Sequence, residues 1–197
     1  MHDVPVKATV KAANMAEAGW CVWITGLPGS GKSVVSGALV KLLSERDVHV
    51  QLMSSDALRK VVTPKPCYSL EERDVVYGTL VYVASLLTGN GVNVVIDGTG
   101  NLRKYRDDAR KRTRRFAEVY LVCPFDVCIE RETRRDETFS APRHVYARGL
   151  EGKASNVPGV GQPYEEPLMP ELVLDTMRLS PEECAEKIAG LIEKHFR

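Results

Sequence analysis

Apolar residues in this chain fall into short unbroken runs, separated by longer stretches with helical periodicity. Residues 20–25 (WCVWIT), 48–53 (VHVQLM), 92–96 (VNVVI), 117–122 (AEVYLV) and 170–175 (PELVLD) are rich in β-branched and aromatic residues and too short for buried helices. Each reads as a strand, and 92–96 is too apolar for a sheet edge. Residues 33–43 carry an apolar stripe at helical spacing. A longer helix over 69–87 opens with a capping box, Ser69 followed by Glu72, and stops at Gly89-Asn90-Gly91. Further helices are predicted after residue 56, over 103–115, over 125–135 with Cys128 and Ile129 turned inward, and from Ser180, where Pro181 sits in the first turn. Strands alternating with helical crossovers predict an α/β fold: a mostly parallel five-stranded sheet with helices on both faces and right-handed connections.

A chain of 197 residues can bury one substantial core and is short for two domains. Residues 20–197 are therefore expected to form one domain, with residues 1–19 as an N-terminal extension. The charge balance, 27 basic against 26 acidic residues, provides no global field for nucleic acid or an anionic membrane, so phosphate recognition must be local. Five cysteines without C-x-x-C spacing argue for a reduced, cytoplasmic chain with no disulfide framework or zinc site. The extension carries Asp3 and Glu17 and has no long apolar run, so neither a signal peptide nor a membrane span is expected.

The chemistry concentrates at residues 26–33 (GLPGSGKS), which match G-x-x-x-x-G-K-[ST] in full between a predicted strand and a predicted helix. Glycines at 26, 29 and 31 allow turns that bring successive N–H groups onto phosphate oxygens, and the helix N-terminus favours the anion. Gly26, Leu27, Pro28, Gly29, Ser30, Gly31, Lys32, Ser33 and Val34 are thus the expected ATP-binding set. Lys32 would reach the β/γ-phosphates and Ser33 would hold Mg²⁺. Asp56 and Asp97 each stand where a strand ends, at the edge where ligands of open α/β sheets bind. Asp56 is a candidate catalytic carboxylate, or a helix cap; Asp97 is a candidate metal ligand, or a cap for the next helix. The run 103–115 holds eight Lys/Arg and reads mostly as a solvated helix face, with Arg103 singled out beside the sheet edge. Residues 136–162 dissolve into Gly, Pro, Arg and Lys, the composition of a lid. Arg131, Arg134, Arg135, Arg143, Arg148 and Lys153 would close with it over the phosphates.

Together these motifs resemble the adenylylsulfate kinase family over nearly the whole chain after residue 20. The resemblance rests on WITGLPGSGKS, on Asp56 with Arg59, on residues 69–73 against the family's F-S-x-x-D-R, on Arg103 against S-P-Y-R, and above all on PYEEPLMPELVLDT, residues 163–176. It implies a P-loop NTPase-like fold and transfer of the γ-phosphoryl of ATP, with Mg²⁺, to the ribose 3′-hydroxyl of adenylyl sulfate. Lys32 and Asp56 would be catalytic, Ser33, Asp56 and Asp97 would face the metal, and Asp56, Arg59, Tyr68, Arg73 and Arg103 would bind the acceptor. The departures lie around that acceptor. The family's D-G-D is Ser54-Ser55-Asp56, the aromatic of G-F-S is Tyr68, the Asp before Arg73 is Glu72, and S-P-Y-R is Gly100-Asn101-Leu102-Arg103. Val157 replaces the lid Phe that, with the aromatic of G-F-S, sandwiches the substrate adenine in that family. A second reading keeps the fold and changes the hydroxyl acceptor to another nucleotide conjugate, nucleoside or sugar, because DGTGN at 97–101 is reminiscent of kinases carrying D-x-T-N. A third, a nucleotide-binding module without turnover, fits poorly with a strand-end Asp56 and a basic lid. Homodimerisation is left open.

Overall fold

The computed structural model describes residues 18–63, 65–134, 145–150 and 156–196, and of Arg148 only the backbone. Every apolar run forms a strand: β1 (Cys21–Thr25), β2 (Val50–Ser54), β3 (Asn93–Asp97), β4 (Phe116–Val122) and β5 (Leu172–Asp175). They pair entirely in parallel in the order β2-β3-β1-β4-β5. The helices are α1 (Lys32–Glu45), α2 (Ser55–Val62), α3 (Leu70–Gly89), α4 (Arg103–Arg112), α5 (Phe125–Arg134), α6 (Val145–Leu150) and α7 (Pro181–His195).

All five residues of β1 are buried, because the strand lies mid-sheet and both of its faces are covered. Alternation divides them. Val22 and Ile24 pack with Val35 and Leu39 of α1 and Ile188 of α7. Cys21 and Trp23 face the other way, onto Tyr77, Leu80 and Ala84 of α3 and Tyr105 and Ala109 of α4. The chain leaves β1 toward β2 and β3 on one side and then crosses to β4 on the other, so β1 ends at the point where strand order reverses. In open α/β sheets that point, outside the carboxyl ends of the strands, is where ligands bind.

Two local expectations change. The run 103–115 is not simply a solvated face, because Arg106 is buried and its helix ends at Arg112. The stretch 136–162 is not structureless throughout: it contains α6 and a bridge between Pro158 and Gln162. Tyr146 of α6 joins Cys123, Cys128 and Val157 in a small apolar cluster of its own. The extension at 1–17 and Arg135, Arg143 and Lys153 lie outside the described residues, as does the Arg148 side chain. Among the described residues no helix is long and apolar enough to cross a membrane.

Candidate active site

The phosphate loop joins β1 to α1, and its shape is set by close approach. A Cβ on Gly29, at φ +83°, would stand 2.2 Å from the Cys128 carbonyl oxygen of α5, so only glycine fits. Lys32 opens α1 and is not solvent-facing: it is 8% exposed, and its Nζ donates to the Leu27 carbonyl at 2.8 Å. Beside it Ser33 is near enough to the Asp97 carboxylate at the end of β3 to act on its ionisation. Burial pushes the Asp97 pKa upward, while Lys32 and the Ser33 hydroxyl pull it back and Asp56 adds to the rise. Neither carboxylate is a cap. Ser54 caps α2, accepting from the Ala57 amide at 3.3 Å, and α4 begins at Leu102 without a side-chain cap. Asp56 instead lies in the first turn of α2, where the helix dipole favours its charge, close enough to act electrostatically on Asp97, Tyr68 and Tyr77.

A second cluster of charge lies within electrostatic reach of Asp56. Arg59 is buried, ion-paired with Glu72, and its guanidinium lies 4.4 Å from the Tyr68 ring centroid. Tyr68 takes φ +59°, and Glu72 holds that turn by accepting the amides of Cys67 and Tyr68. Arg73 donates to the Tyr68 carbonyl (3.2 Å), the Asn101 side chain (3.3 Å) and the Asn156 carbonyl (2.6 Å). The structure therefore brings Asp56, Arg59, Tyr68 and Arg73 together.

At Glu72 burial pushes the pKa up, but its contacts with Cys67, Tyr68 and Arg59 outweigh that and hold it at about 2, below the ordinary 4.5. A depressed carboxyl pKa contributes stability that is complete above the unfolded value and is lost as pH falls toward the folded one. Denaturant melts are expected to lose stability between pH 4.5 and about 2, and Glu72→Gln is expected to remove that part of the acid limb. An unchanged acid limb in the variant would show that the turn does not depend on this carboxylate.

Arg103 is placed differently from its expected role. Its amide donates to Glu165 Oε2 at 2.7 Å and its Nη1 to the Glu166 carbonyl at 3.1 Å, so it holds the segment after Pro163 and is not gathered with the acceptor-side arginines. Arg131 is likewise committed, donating to the hydroxyl (3.0 Å) and carbonyl (2.9 Å) of Thr176 beyond β5. Arg134 is 78% exposed on its side chain and pairs with Glu130 one turn back, at the solvated end of α5. Val157 is 4% exposed and packs against α5 and α6, so it does not front an open acceptor site, and a phenylalanine there would have to overpack that cluster.

The residue missed from sequence is Arg106. It is 1% exposed and donates to Glu118 of β4 (2.5 Å), to the Gly100 carbonyl and to the Glu165 carbonyl (2.5 Å). It thereby clamps the loop after Asp97, assisted by Trp23 on the Gly98 carbonyl (2.7 Å), Thr25 on the Thr99 carbonyl (2.6 Å) and the Tyr77 hydroxyl, which accepts from the Gly100 amide (3.0 Å). Gly100, at φ +49°, lies so close to Trp23 that a Cβ would stand 2.8 Å from the indole ring. The available signal was Glu118, a lone carboxylate inside an otherwise apolar strand, which demands a buried partner.

The sequence pattern of the family described as adenylylsulphate kinase matches residues 18–175. The probable adenylyl-sulfate kinase of Pyrococcus abyssi is 34% identical over 170 residues, 86% of this chain and 92% of that protein. The adenylyl-sulfate kinase of Rippkaea orientalis is 32% identical over 180 residues, 91% of this chain and 94% of that protein. The APS kinase of Mycobacterium tuberculosis, solved in complex with AMPPNP and APS, superposes with a TM-score of 0.79 at 29% identity, covering 89% of this chain and 98% of that one. A gluconokinase from Sinorhizobium meliloti, at 21% identity and a TM-score of 0.59, shares the fold alone. With the family match running from just before β1 to the end of β5, the chain belongs to the adenylylsulphate kinase family.

Proposed function

We propose that this chain transfers the γ-phosphoryl of ATP to the 3′-hydroxyl of adenylyl sulfate, with residues 20–197 as the kinase domain and residues 26–34 as the nucleotide site. The observation that carries this reading is the buried Asp97 carboxylate at the end of β3, on which Lys32 and Ser33 of the phosphate loop and Asp56 of α2 all act. A phosphate loop, a cation and two carboxylates at strand ends thereby gather at one edge of the sheet, and Asp56 links them to the Arg59, Tyr68 and Arg73 cluster that would hold the acceptor.

The oxygens of Ser33, Asp97 and Asp56 suit a hard cation such as Mg²⁺. Among the described residues no group of three or more His, Cys, Asp or Glu could hold a metal by itself, so the nucleotide's phosphates would complete the ligand set. Bound there, the cation would neutralise charge on the triphosphate. Lys32 would stabilise negative charge on the β/γ-phosphates, and loop amides would cradle them. Asp56 would orient the acceptor hydroxyl and take its proton as the new oxygen–phosphorus bond forms and the bond to the bridging oxygen of ADP breaks. Arg59 and Arg73, pre-oriented by Glu72, Tyr68 and Asn101, would bind the anionic part of adenylyl sulfate.

Asp56→Asn tests the division of labour. ADP release with saturating adenylyl sulfate is expected to fall by roughly 10²–10⁴-fold while ATP affinity, measured by calorimetry, stays near wild type. Loss of ATP affinity together with thermal stability would make Asp56 a structural residue. Wild-type turnover with another hydroxyl compound, but none with adenylyl sulfate, would overturn the acceptor.

A further inference from the structure

We propose that Tyr146 is a positioning residue for the nucleotide's phosphates: its hydroxyl holds the Pro28–Gly29 peptide so that the Gly29 amide points into the phosphate loop. This rests on the reading of residues 26–34 as the ATP site. Tyr146 is the second residue of α6, 0% exposed, and its hydroxyl donates to the Pro28 carbonyl at 2.8 Å. Its ring meets Phe125 of α5 edge-on, with centroids 5.3 Å apart at 88°. The side chain is thus fixed by packing, and the hydroxyl reaches a loop 118 residues away in sequence.

The force of this contact comes from peptide geometry. In a planar trans peptide the C=O and N–H vectors are opposed. Aiming the Pro28 carbonyl at Tyr146 therefore aims the Gly29 N–H away from α6. Such a peptide would otherwise be free to turn, since Gly29 has no Cβ and sits at φ +83°. The preceding carbonyl, of Leu27, is already held by Lys32 Nζ at 2.8 Å and the Ser30 amide at 3.1 Å. Proline leaves the Leu27–Pro28 peptide without an N–H, so the next donor along the loop is the Gly29 amide, whose direction follows from what the Pro28 carbonyl meets. Burial, with smaller contributions from Cys128, Glu132 and Cys123, pushes the Tyr146 pKa upward and keeps the hydroxyl a donor at neutral pH.

Tyr146→Phe deletes the hydroxyl and leaves the ring packing. Calorimetric titration of the full chain with ATP, without acceptor, is expected to show affinity lowered roughly threefold to tenfold, the effect of one hydrogen bond. KM for adenylyl sulfate is expected to stay within about twofold, and the melting temperature to be nearly unchanged. Phe125→Leu removes the edge-on ring contact but leaves Tyr146 its hydroxyl and its packing with Cys123, Cys128 and Val157, and is expected to lower stability while weakening ATP less than Tyr146→Phe does. Equal ATP affinity in wild type and Tyr146→Phe would overturn the proposal, as would Phe125→Leu weakening ATP as much. A wild-type chain that binds no ATP would instead undo the nucleotide-site reading itself.

Discussion

Lys32→Ala is expected to lower phosphoryl transfer by about 10²–10³-fold, the range seen when one preorganised charge-stabilising donor is removed. Two losses combine. The first is the cation itself, which the Leu27 carbonyl already steers at 2.8 Å from Nζ. The second is its effect on Asp97: burial raises that carboxyl's pKa and Lys32 is the largest influence restraining the rise. Without Lys32 the Asp97 pKa climbs further, so any step that needs the carboxylate ionised fails at a higher pH. The acid limb of the kcat–pH profile is therefore expected to move upward in the variant's residual activity, while the fold survives because the apolar cluster around β1 and α1 is untouched. Steady-state ADP release across pH, with a thermal melt of each protein, checks both parts. A variant that turns over near the wild-type rate would refute the assignment of this loop.

Arg106→Ala is expected to have the largest effect on stability, about 3–5 kcal/mol, because it leaves one member of a buried ion pair alone. Glu118 is then stranded. Its pKa is already raised by burial and held down chiefly by Arg106, and the remaining Arg110 contact is long, 3.8 Å. The Gly100 and Glu165 carbonyls lose their donor as well. For a chain of this size that corresponds to a melting temperature lower by roughly 6–20 °C. The companion change Glu118→Gln is expected to recover part of the loss in the double variant, since a neutral amide costs less to bury unpaired than a carboxylate. A loss below about 1 kcal/mol in denaturant melts would mean that water or a neighbour replaces the guanidinium.

What the sequence determines by itself is whatever depends on neighbours along the chain. Runs of β-branched residues make β1 to β5 wherever they occur, and Ser69 and Ser180 start α3 and α7 by accepting the amides of Glu72 and Glu183 one turn on. The phosphate loop is legible for the same reason: its glycines take positive φ angles that other residues resist. The long C-terminal match at 163–176 was also readable, as a string, though not for what it does. Tertiary structure alone decides which charges turn inward. Arg103, Arg106 and Arg110 lie on one helix within one basic run, yet the first guanidinium donates to the Glu166 carbonyl, the second is sealed against Glu118, and the third makes a two-point pair with Glu171. No local pattern separates them, because the discriminating partners come from β4 and from the segment leading into β5, and burying a guanidinium is tolerable only where those partners meet it. The same holds for Val157, which the family pattern sets beside an adenine and packing seats behind Tyr146 and Cys128. It holds also for Tyr146, whose contact with Pro28 exists because α5 and α6 close over the loop.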